Sequence, residues 1–115
     1  MDARLHPPIL QQSLLQNRLD YLLDIPSDLD FFPGHFPGFP ILPGFIQIGW
    51  VMELAGPLNP AGQFVAVNRL KFMRPITCNR QIRLSLEISD DRLRILFRYY
   101  TERFSYSSGQ IVLGP

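Results

Sequence analysis

Several segments of the chain alternate apolar and polar residues, and a period of two predicts β-strands. In residues 18–25 every second side chain is apolar, and Pro26 ends the pattern. Later segments follow the same rule, and they predict strands over residues 64–73, 81–88, 92–106 and 110–113. Ser and Asp at 89–91 and Ser and Gly at 107–109 are typical of turns, so we expect the last three strands to form two hairpins.

The segment before residue 18 is consistent with two structures. Residues 9–15, followed by Gln16 and Asn17, can pair with residues 18–25 as a hairpin. The apolar spacing also suits a helix, whose buried face would hold Ile9, Leu10, Leu14, Leu15, Leu19 and Leu22. Both hypotheses remain open on the sequence.

One helix is predicted from about Gly44 to Ala55. Pro43 suits its first turn, and Gly56 followed by Pro57 ends it. Its side chains leave no polar stripe, so we expect the helix to be surrounded by other elements. The simplest assembly is an α+β fold of one domain, residues 1–115, with a curved antiparallel sheet around a central buried helix.

Composition excludes several classes of function. The net charge of +1 argues against nucleic acid as a partner, and no apolar run reaches the ~20 residues that span a membrane. The N-terminus lacks a secretory signal, so we expect the protein in the cytoplasm. Cys78 is the single cysteine, which offers neither a disulfide nor the spacing of a metal site.

Two motifs resemble one known family. FFPGHFPGFPILPGFIQIGW (residues 31–50) is similar to the loop and helix of the hydroxyacyl-acyl carrier protein dehydratases, which have the hot-dog fold. VNRLKFMRPITCNRQIRLSLEI (residues 67–88) resembles the strand pair that follows in that family, and the resemblance covers residues 18–113. The QIGW segment further resembles the dehydratase-like proteins of aryl polyene pathways.

The resemblance implies an activity and roles for particular residues. The family removes water from a 3-hydroxyacyl thioester on acyl carrier protein to form the trans-2-enoyl product, with no metal or organic cofactor. His35 matches the catalytic histidine, whose imidazole takes a proton at neutral pH. Gly44 matches the glycine whose amide faces the thioester carbonyl at the helix start. The family's sites are composite, so we expect a homodimer, or else a higher oligomer or heterodimer.

Gly49 departs from the family pattern. At the matching position the family has Asp or Glu, whose carboxyl group helps the hydroxyl group to leave. Glu53 lies one helical turn further on the same face, where the family usually has glutamine. Three hypotheses follow. Glu53 replaces the missing carboxylate as a third catalytic residue, or the chain is a noncatalytic accessory subunit that binds acyl thioesters, or His35 and Gly44 hydrolyse the thioester with a water molecule.

Further residues are predicted from their position beside these groups. Lys71 and Arg74 flank Phe72, and we expect them to contact the acidic carrier protein or its phosphopantetheine phosphate. The residues expected to bind the acyl chain are mostly aromatic, and they are Phe31, Phe36, Phe39, Pro43, Phe45, Gly49, Trp50 and Phe72.

Overall fold

A computed structural model describes residues 6–29 and 41–115. These residues form six β-strands, one α-helix and a 3₁₀ turn at Gly56–Leu58. The helix is α1 (Gly44–Leu54), and the strands are β1 (Ile9–Leu15), β2 (Arg18–Ile25), β3 (Gln63–Phe72), β4 (Arg80–Ile88), β5 (Arg94–Tyr100) and β6 (Ser105–Gly114). The predicted α+β class is confirmed.

All six strands belong to one antiparallel sheet in the order β1-β2-β4-β5-β6-β3. The chain therefore leaves β2, forms α1, and returns at the opposite edge as β3 before the central strands follow. β1 and β3 are the two edge strands. The alternation predicted for β4 is confirmed, because Ile82, Leu84 and Leu86 are fully buried.

The N-terminal segment is a strand, so the hairpin hypothesis is confirmed and the helix hypothesis is wrong. Leu15 pairs with Arg18, and Gln16 turns the chain with a φ of 54°. The side chains of β1 are exposed along its whole length. A helix would have needed a core to cover its apolar stripe, whereas an edge strand satisfies its backbone by pairing with β2.

The prediction of one strand over residues 92–106 and a turn at 107–109 is wrong. The turn lies at residues 101–104, where the Thr101 amide donates to the Phe104 carbonyl at 2.8 Å. Residues 107–109 continue β6 instead. Gly109 suits this strand because the Phe97 ring packs so closely that a Cβ would lie 2.7 Å from its Cε2 atom.

The sheet holds α1 through two buried phenols. The Tyr21 hydroxyl donates to the Leu54 carbonyl at 2.7 Å, and the Tyr99 hydroxyl donates to the Gln47 carbonyl at 2.6 Å. Burial raises the pKa of both hydroxyl groups, and the charge of Glu53 adds to the larger rise at Tyr99. The helix is thus bonded to β2 near its end and to β5 near its start.

Residues 6–29 and 41–115 cover the helix on one face only. Gln47, Trp50 and Val51 are buried against the sheet. On the opposite face Phe45 is 70% exposed and Gly49 has open space beside it. The expectation of a helix surrounded on all sides therefore holds for one side of α1, and the other side faces away from the sheet.

Across the described ranges, no helix has both the length and the apolar character needed to cross a bilayer. Within the same ranges, His, Cys, Asp and Glu residues form no group of three that is able to hold a metal ion.

Candidate active site at the start of the helix

A cavity of about 470 Å³ lies at the N-terminal end of α1. One wall is the segment that enters the helix, and the other is the end of β3 with the residues that follow it. The lining residues are Ile41, Leu42, Pro43, Gly44, Phe45, Gln47, Phe72, Met73, Arg74 and Pro75. The volume suits a small ligand or an acyl chain, and the wall is mainly apolar with Arg74 and Gln47 as its polar side chains.

The helix start in this cavity carries uncompensated positive character. Pro43 precedes α1 in an extended conformation and provides no side-chain cap, and the first turn contains no acidic residue. The amides of Ile46 and Gln47 donate to the Pro43 carbonyl at 3.1 and 3.2 Å. The Gly44 and Phe45 amides have no acceptor among residues 6–29 and 41–115. Such amides stabilise negative charge on a ligand oxygen.

Gly44 is required by a close contact with the opposite wall. A Cβ at this position would lie 2.6 Å from the Phe72 Cζ atom. The ring of Phe72 therefore rests directly on the helix start, while the residue as a whole remains 52% exposed. Gly44 and Phe72 together narrow one end of the cavity.

A buried hydrogen-bond network supports the wall behind the helix start. The Gln47 side chain donates from Nε2 to the Leu42 carbonyl at 3.2 Å, and its Oε1 atom accepts from the Ser107 hydroxyl at 2.6 Å. Gln47 is 3% exposed and Ser107 is fully buried. Strand β6 is in this way bonded to the segment that enters α1.

Arg74 is held on the cavity wall by an aromatic ring. Its guanidinium carbon lies 3.8 Å from the centroid of Phe104, and the Phe104 ring meets Tyr106 edge to face. Arg80 donates to the Tyr106 hydroxyl at 3.0 Å. Among the described residues, neither guanidinium has a carboxylate within ion-pairing distance. Arg74 and Arg80 therefore give this region a positively charged side within the described part of the chain.

The structure brings together five of the predicted site residues. Pro43, Gly44, Phe45, Phe72 and Arg74 all line the cavity. Four others are not part of its described lining, namely Gly49, Trp50, Glu53 and Lys71. Trp50 is 2% exposed and belongs to the core. His35, Phe31, Phe36 and Phe39 lie outside the described residues.

Glu53 lies at the far end of the helix from the cavity. It is nine residues beyond Gly44, which corresponds to about 13 Å along the helix axis. Its Oε2 atom is 2.7 Å from His6 Nδ1, and both side chains are more than half exposed. Gly49 lies between Gly44 and Glu53 along the helix, on the same exposed face as Glu53. A Cβ at Gly49 would meet no described atom within 4 Å.

Gln47, Ser107 and Tyr99 were not predicted as part of the site. Gln47 has apolar neighbours on both sides in the sequence, and a polar side chain on a buried helix face must find partners. That pattern marks Gln47 as a candidate. The sequence around Ser107 gives no comparable signal that this residue is buried, because serine after an aromatic strand is equally typical of a turn.

Comparison with known proteins gives one family. The family model described as "ApeI-like: ApeI dehydratase" matches residues 11–110. The chain is similar to the 3-hydroxyacyl-[acyl-carrier-protein] dehydratase FabZ of Novosphingobium aromaticivorans, with 32% identity over 91 residues. That alignment covers 70% of this chain and 58% of the relative, so the chain spans little more than half the length of this curated relative.

Two solved structures share the whole architecture. One is titled the dehydratase heterocomplex ApeI:P from Xenorhabdus doucetiae, with a TM-score of 0.87, 30% identity, and coverage of 96% of this chain and 99% of that one. The other is an uncharacterized protein from Erwinia carotovora subsp. atroseptica, with a TM-score of 0.81, 30% identity, and coverage of 96% and 97%. These similarities extend over nearly the full sheet and helix.

Proposed function

The chain belongs to the ApeI-like dehydratase family, which has the hot-dog fold, and from this premise we propose that it removes water from a 3-hydroxyacyl thioester. The product is the trans-2-enoyl thioester. The acyl group is carried on the phosphopantetheine of an acyl carrier protein, in fatty acid or polyene-type biosynthesis in the cytoplasm. No metal or organic cofactor takes part in the proposed reaction.

One observation carries this proposal beyond family membership. The largely apolar cavity ends at the uncapped start of α1, beside the Gly44 amide. An acyl thioester bound there places its carbonyl oxygen at the positive end of the helix, with its chain along the apolar wall. Elimination of water needs this oxygen to be stabilised, because negative charge develops on it when the α-proton is removed.

In the proposed reaction, each chemical step is assigned to particular residues of this chain. The imidazole of His35 removes the proton from the α-carbon, and the Gly44 amide stabilises the resulting enolate-like oxygen. The bond between the β-carbon and its hydroxyl group then breaks, and that group leaves as water once it receives a proton. The roles of Phe31, Phe36 and Phe39 in binding the acyl chain are part of the same proposal, whereas Trp50 belongs to the core and is no longer assigned to the site.

The hydroxyl group that leaves needs a proton donor. Gly49 has no side chain, and the carboxylate nearest to it on the same helix face is Glu53. We propose that the site is composite, formed in a homodimer from the His35 loop of one subunit and the exposed helix face of the other. Glu53 then has to exchange its contact with His6 for one with the substrate, since His6 holds it in this chain.

Recognition of the carrier is assigned to the positive side of the cavity. Arg74 lines the cavity and is stacked on Phe104, so its guanidinium is already ordered for a phosphate oxygen. Lys71 is exposed on β3, three residues earlier, and is placed to meet acidic side chains of the carrier protein. In this proposal the phosphopantetheine phosphate contacts Arg74 and the thioester extends inward from it.

A second candidate function is supported by Gly49 and by one structural neighbour. The neighbour from Xenorhabdus doucetiae is described as a heterocomplex. A chain that offers a glycine where an acid is needed is suited to pair with a different subunit that provides a carboxylate. In that arrangement this chain binds the acyl thioester and completes the site of an active partner.

The experiment compares variants of the purified chain on a 3-hydroxyacyl carrier-protein substrate. Water loss is followed in the wild type and in His35→Ala, Glu53→Gln, Gly49→Glu and Gly49→Gln. A Cβ at position 49 would meet no described atom within 4 Å, so a side chain can begin there without a backbone shift. Gly49→Gln is the matched control, since it has the size of glutamate without its acid.

Each result selects one function. Activity that is lost in both His35→Ala and Glu53→Gln supports the homodimeric dehydratase. If the wild type and Gly49→Gln are inactive but Gly49→Glu is active, the site lacks only a carboxylate. That result supports the accessory subunit. Release of free acid selects thioester hydrolysis. If no variant forms either product at any chain length, the enzyme proposal is wrong.

A further inference from the structure

The Gln47 side chain joins the segment that enters α1 to strand β6. Its Nε2 atom bonds the Leu42 carbonyl, two residues before α1, and its Oε1 atom accepts from Ser107 on β6. Its own backbone carbonyl accepts from Tyr99 on β5. The helix start is therefore bonded to two central strands through one residue that also lines the cavity.

The orientation of the amide follows from its partners. A carbonyl oxygen only accepts, so the Leu42 carbonyl must face the amide nitrogen. Oε1 then faces Ser107, and the serine hydroxyl donates to it. A side chain that lacks either half of the amide breaks one of these two bonds and leaves a buried group without its partner.

The bonded segment carries the groups that the proposed reaction uses. Leu42 also donates from its amide to the Ile76 carbonyl at 2.8 Å, so it is held from two directions. Pro43 and Gly44 follow immediately, and the Gly44 amide opens on the cavity. Displacement of Leu42 by a fraction of an ångström moves that amide directly.

We propose that Gln47 is the positioning residue of this site: by bonding Leu42 and Ser107 at once, it sets the place of the Gly44 amide relative to the bound thioester carbonyl. This proposal rests on the proposed dehydration. It assigns Gln47 no contact with the reacting atoms. Ser107 has a smaller role, because it orients the side-chain amide of Gln47 but does not itself bond Leu42.

The test compares Gln47→Met, Ser107→Ala and a control in the core. Gln47→Met keeps the length of the side chain and removes both bonds. We expect kcat for dehydration to fall about 10-fold to 100-fold with KM changed less than about threefold, since small misplacement at a reacting centre affects mainly the rate. Ser107→Ala lowers kcat less. Ile95→Val shortens a fully buried side chain of β5 away from the cavity wall and leaves kcat within about twofold.

A second variant separates positioning from general stability. In Gln47→Glu the protonated carboxyl group still donates to Leu42 and accepts from Ser107, whereas the ionised group only accepts. In the part of the chain that the structure describes, the titratable groups near position 47 are the buried Tyr99 hydroxyl, Glu53 acting on it, and Arg74 on the cavity wall. We expect the kcat of Gln47→Glu, relative to wild type, to fall about 10-fold between pH 6 and pH 9, because burial favours the neutral acid at the low end.

Amide hydrogen exchange at residues 42–47 gives a measurement that needs no activity. We expect exchange there to become at least about 10-fold faster in Gln47→Met and to stay unchanged in Ile95→Val. A Gln47→Met protein with wild-type kcat overturns the inference. If the wild type forms no product, the proposed function fails, and the exchange data alone decide: equal protection in wild type and Gln47→Met overturns the role of Gln47, and selective loss supports it.

Discussion

At the scale of single residues, the two glycines of α1 have opposite surroundings. Gly44 faces the Phe72 ring at a distance that excludes a Cβ, whereas Gly49 faces open space. Both have ordinary helical backbone, so neither is needed for an unusual φ angle. Gly44 is therefore explained by its contact with Phe72, whereas no contact among the described residues explains Gly49.

This contrast gives a prediction for the free energy of unfolding. Gly49→Ala should stabilise the chain by about 0.5 to 1 kcal/mol, because alanine loses less backbone entropy in a helix. Gly44→Ala should destabilise it by about 1 to 3 kcal/mol, because Phe72 has to move. Urea denaturation of both variants measures the two changes. A loss of stability in Gly49→Ala would contradict the open space seen beside this residue and indicate a second chain packed there.

Arg74 gives a prediction that separates the carrier from the acyl group. Arg74→Ala should raise KM about 10-fold for a carrier-bound substrate, because one charge-assisted contact with phosphate is lost. KM for a short thioester without phosphate should change less than about twofold. For Lys71→Ala, three residues earlier on β3, we expect a smaller rise in KM for the carrier-bound substrate. Equal effects on both substrates would show that Arg74 shapes the cavity instead.

At the scale of elements, α1 is positioned by buried hydrogen bonds from three strands. Tyr21 on β2 bonds its last residue, Tyr99 on β5 bonds the Gln47 carbonyl near its start, and Ser107 on β6 bonds the Gln47 side chain. These directional bonds restrict both sliding of α1 along its axis and rotation about that axis. Apolar packing alone restricts these motions less. The elements β2, β4 and α1 were predictable from period and turn composition, but these tyrosines are indistinguishable from other core aromatics in the sequence.

The buried phenols predict a loss of stability in alkali. Burial raises the folded-state pKa of Tyr99 well above its ordinary value and also raises that of Tyr21. Above about pH 10 an unfolded tyrosine loses its proton while the folded one keeps it, so the unfolded state binds fewer protons and stability falls as pH rises.

We expect the midpoint of urea unfolding to decline above about pH 10 in the wild type and to decline less in Tyr99→Phe. At neutral pH the same variant should lose about 1 to 2 kcal/mol, because the Gln47 carbonyl loses its buried donor. Tyr100→Phe, in the neighbouring and less buried position, is the control and should keep the wild-type slope. An unchanged slope in Tyr99→Phe would contradict the assignment of the alkaline loss to this hydroxyl.

At the scale of the whole molecule, both edge strands of the sheet expose apolar side chains, but β3 alone of the two ends at the cavity. β3 exposes Phe64, Val65, Leu70 and Phe72, and the bare face of α1 exposes Phe45. β1 at the other edge exposes Ile9, Leu10, Leu14 and Leu15. Long exposed apolar edges favour pairing with another chain. The proposed composite site requires that pairing to use β3, because only that edge ends at the cavity.

We therefore expect Val65→Lys to dissociate the dimer, since a charge on an edge strand opposes strand pairing. Leu15→Lys, an exposed apolar position on the opposite edge, should leave the dimer intact. Light scattering after size-exclusion chromatography gives both masses, and circular dichroism verifies that the fold is kept. If the wild type is a monomer at enzyme concentrations, the composite site is excluded.

Local pattern determined most of the strands and the one helix of this protein, and the resemblance of one motif to a known family indicated part of its candidate site. Alternation identified β2 and β4, Pro43 and Gly56 bounded α1, and the motif around Gly44 indicated the cavity end of the helix. These features follow from period, turn chemistry and local backbone constraints, which are written in neighbouring residues.

Tertiary structure decided what depends on residues far apart in the chain. It placed Ser107 inside β6 opposite Gln47, sixty residues away, where local composition indicates a turn. It left Gly49 beside open space and held Glu53 at His6, away from the cavity wall. Whether a polar side chain is buried, and which partner satisfies it, depends on the packing of the sheet against the helix and not on its neighbours in sequence.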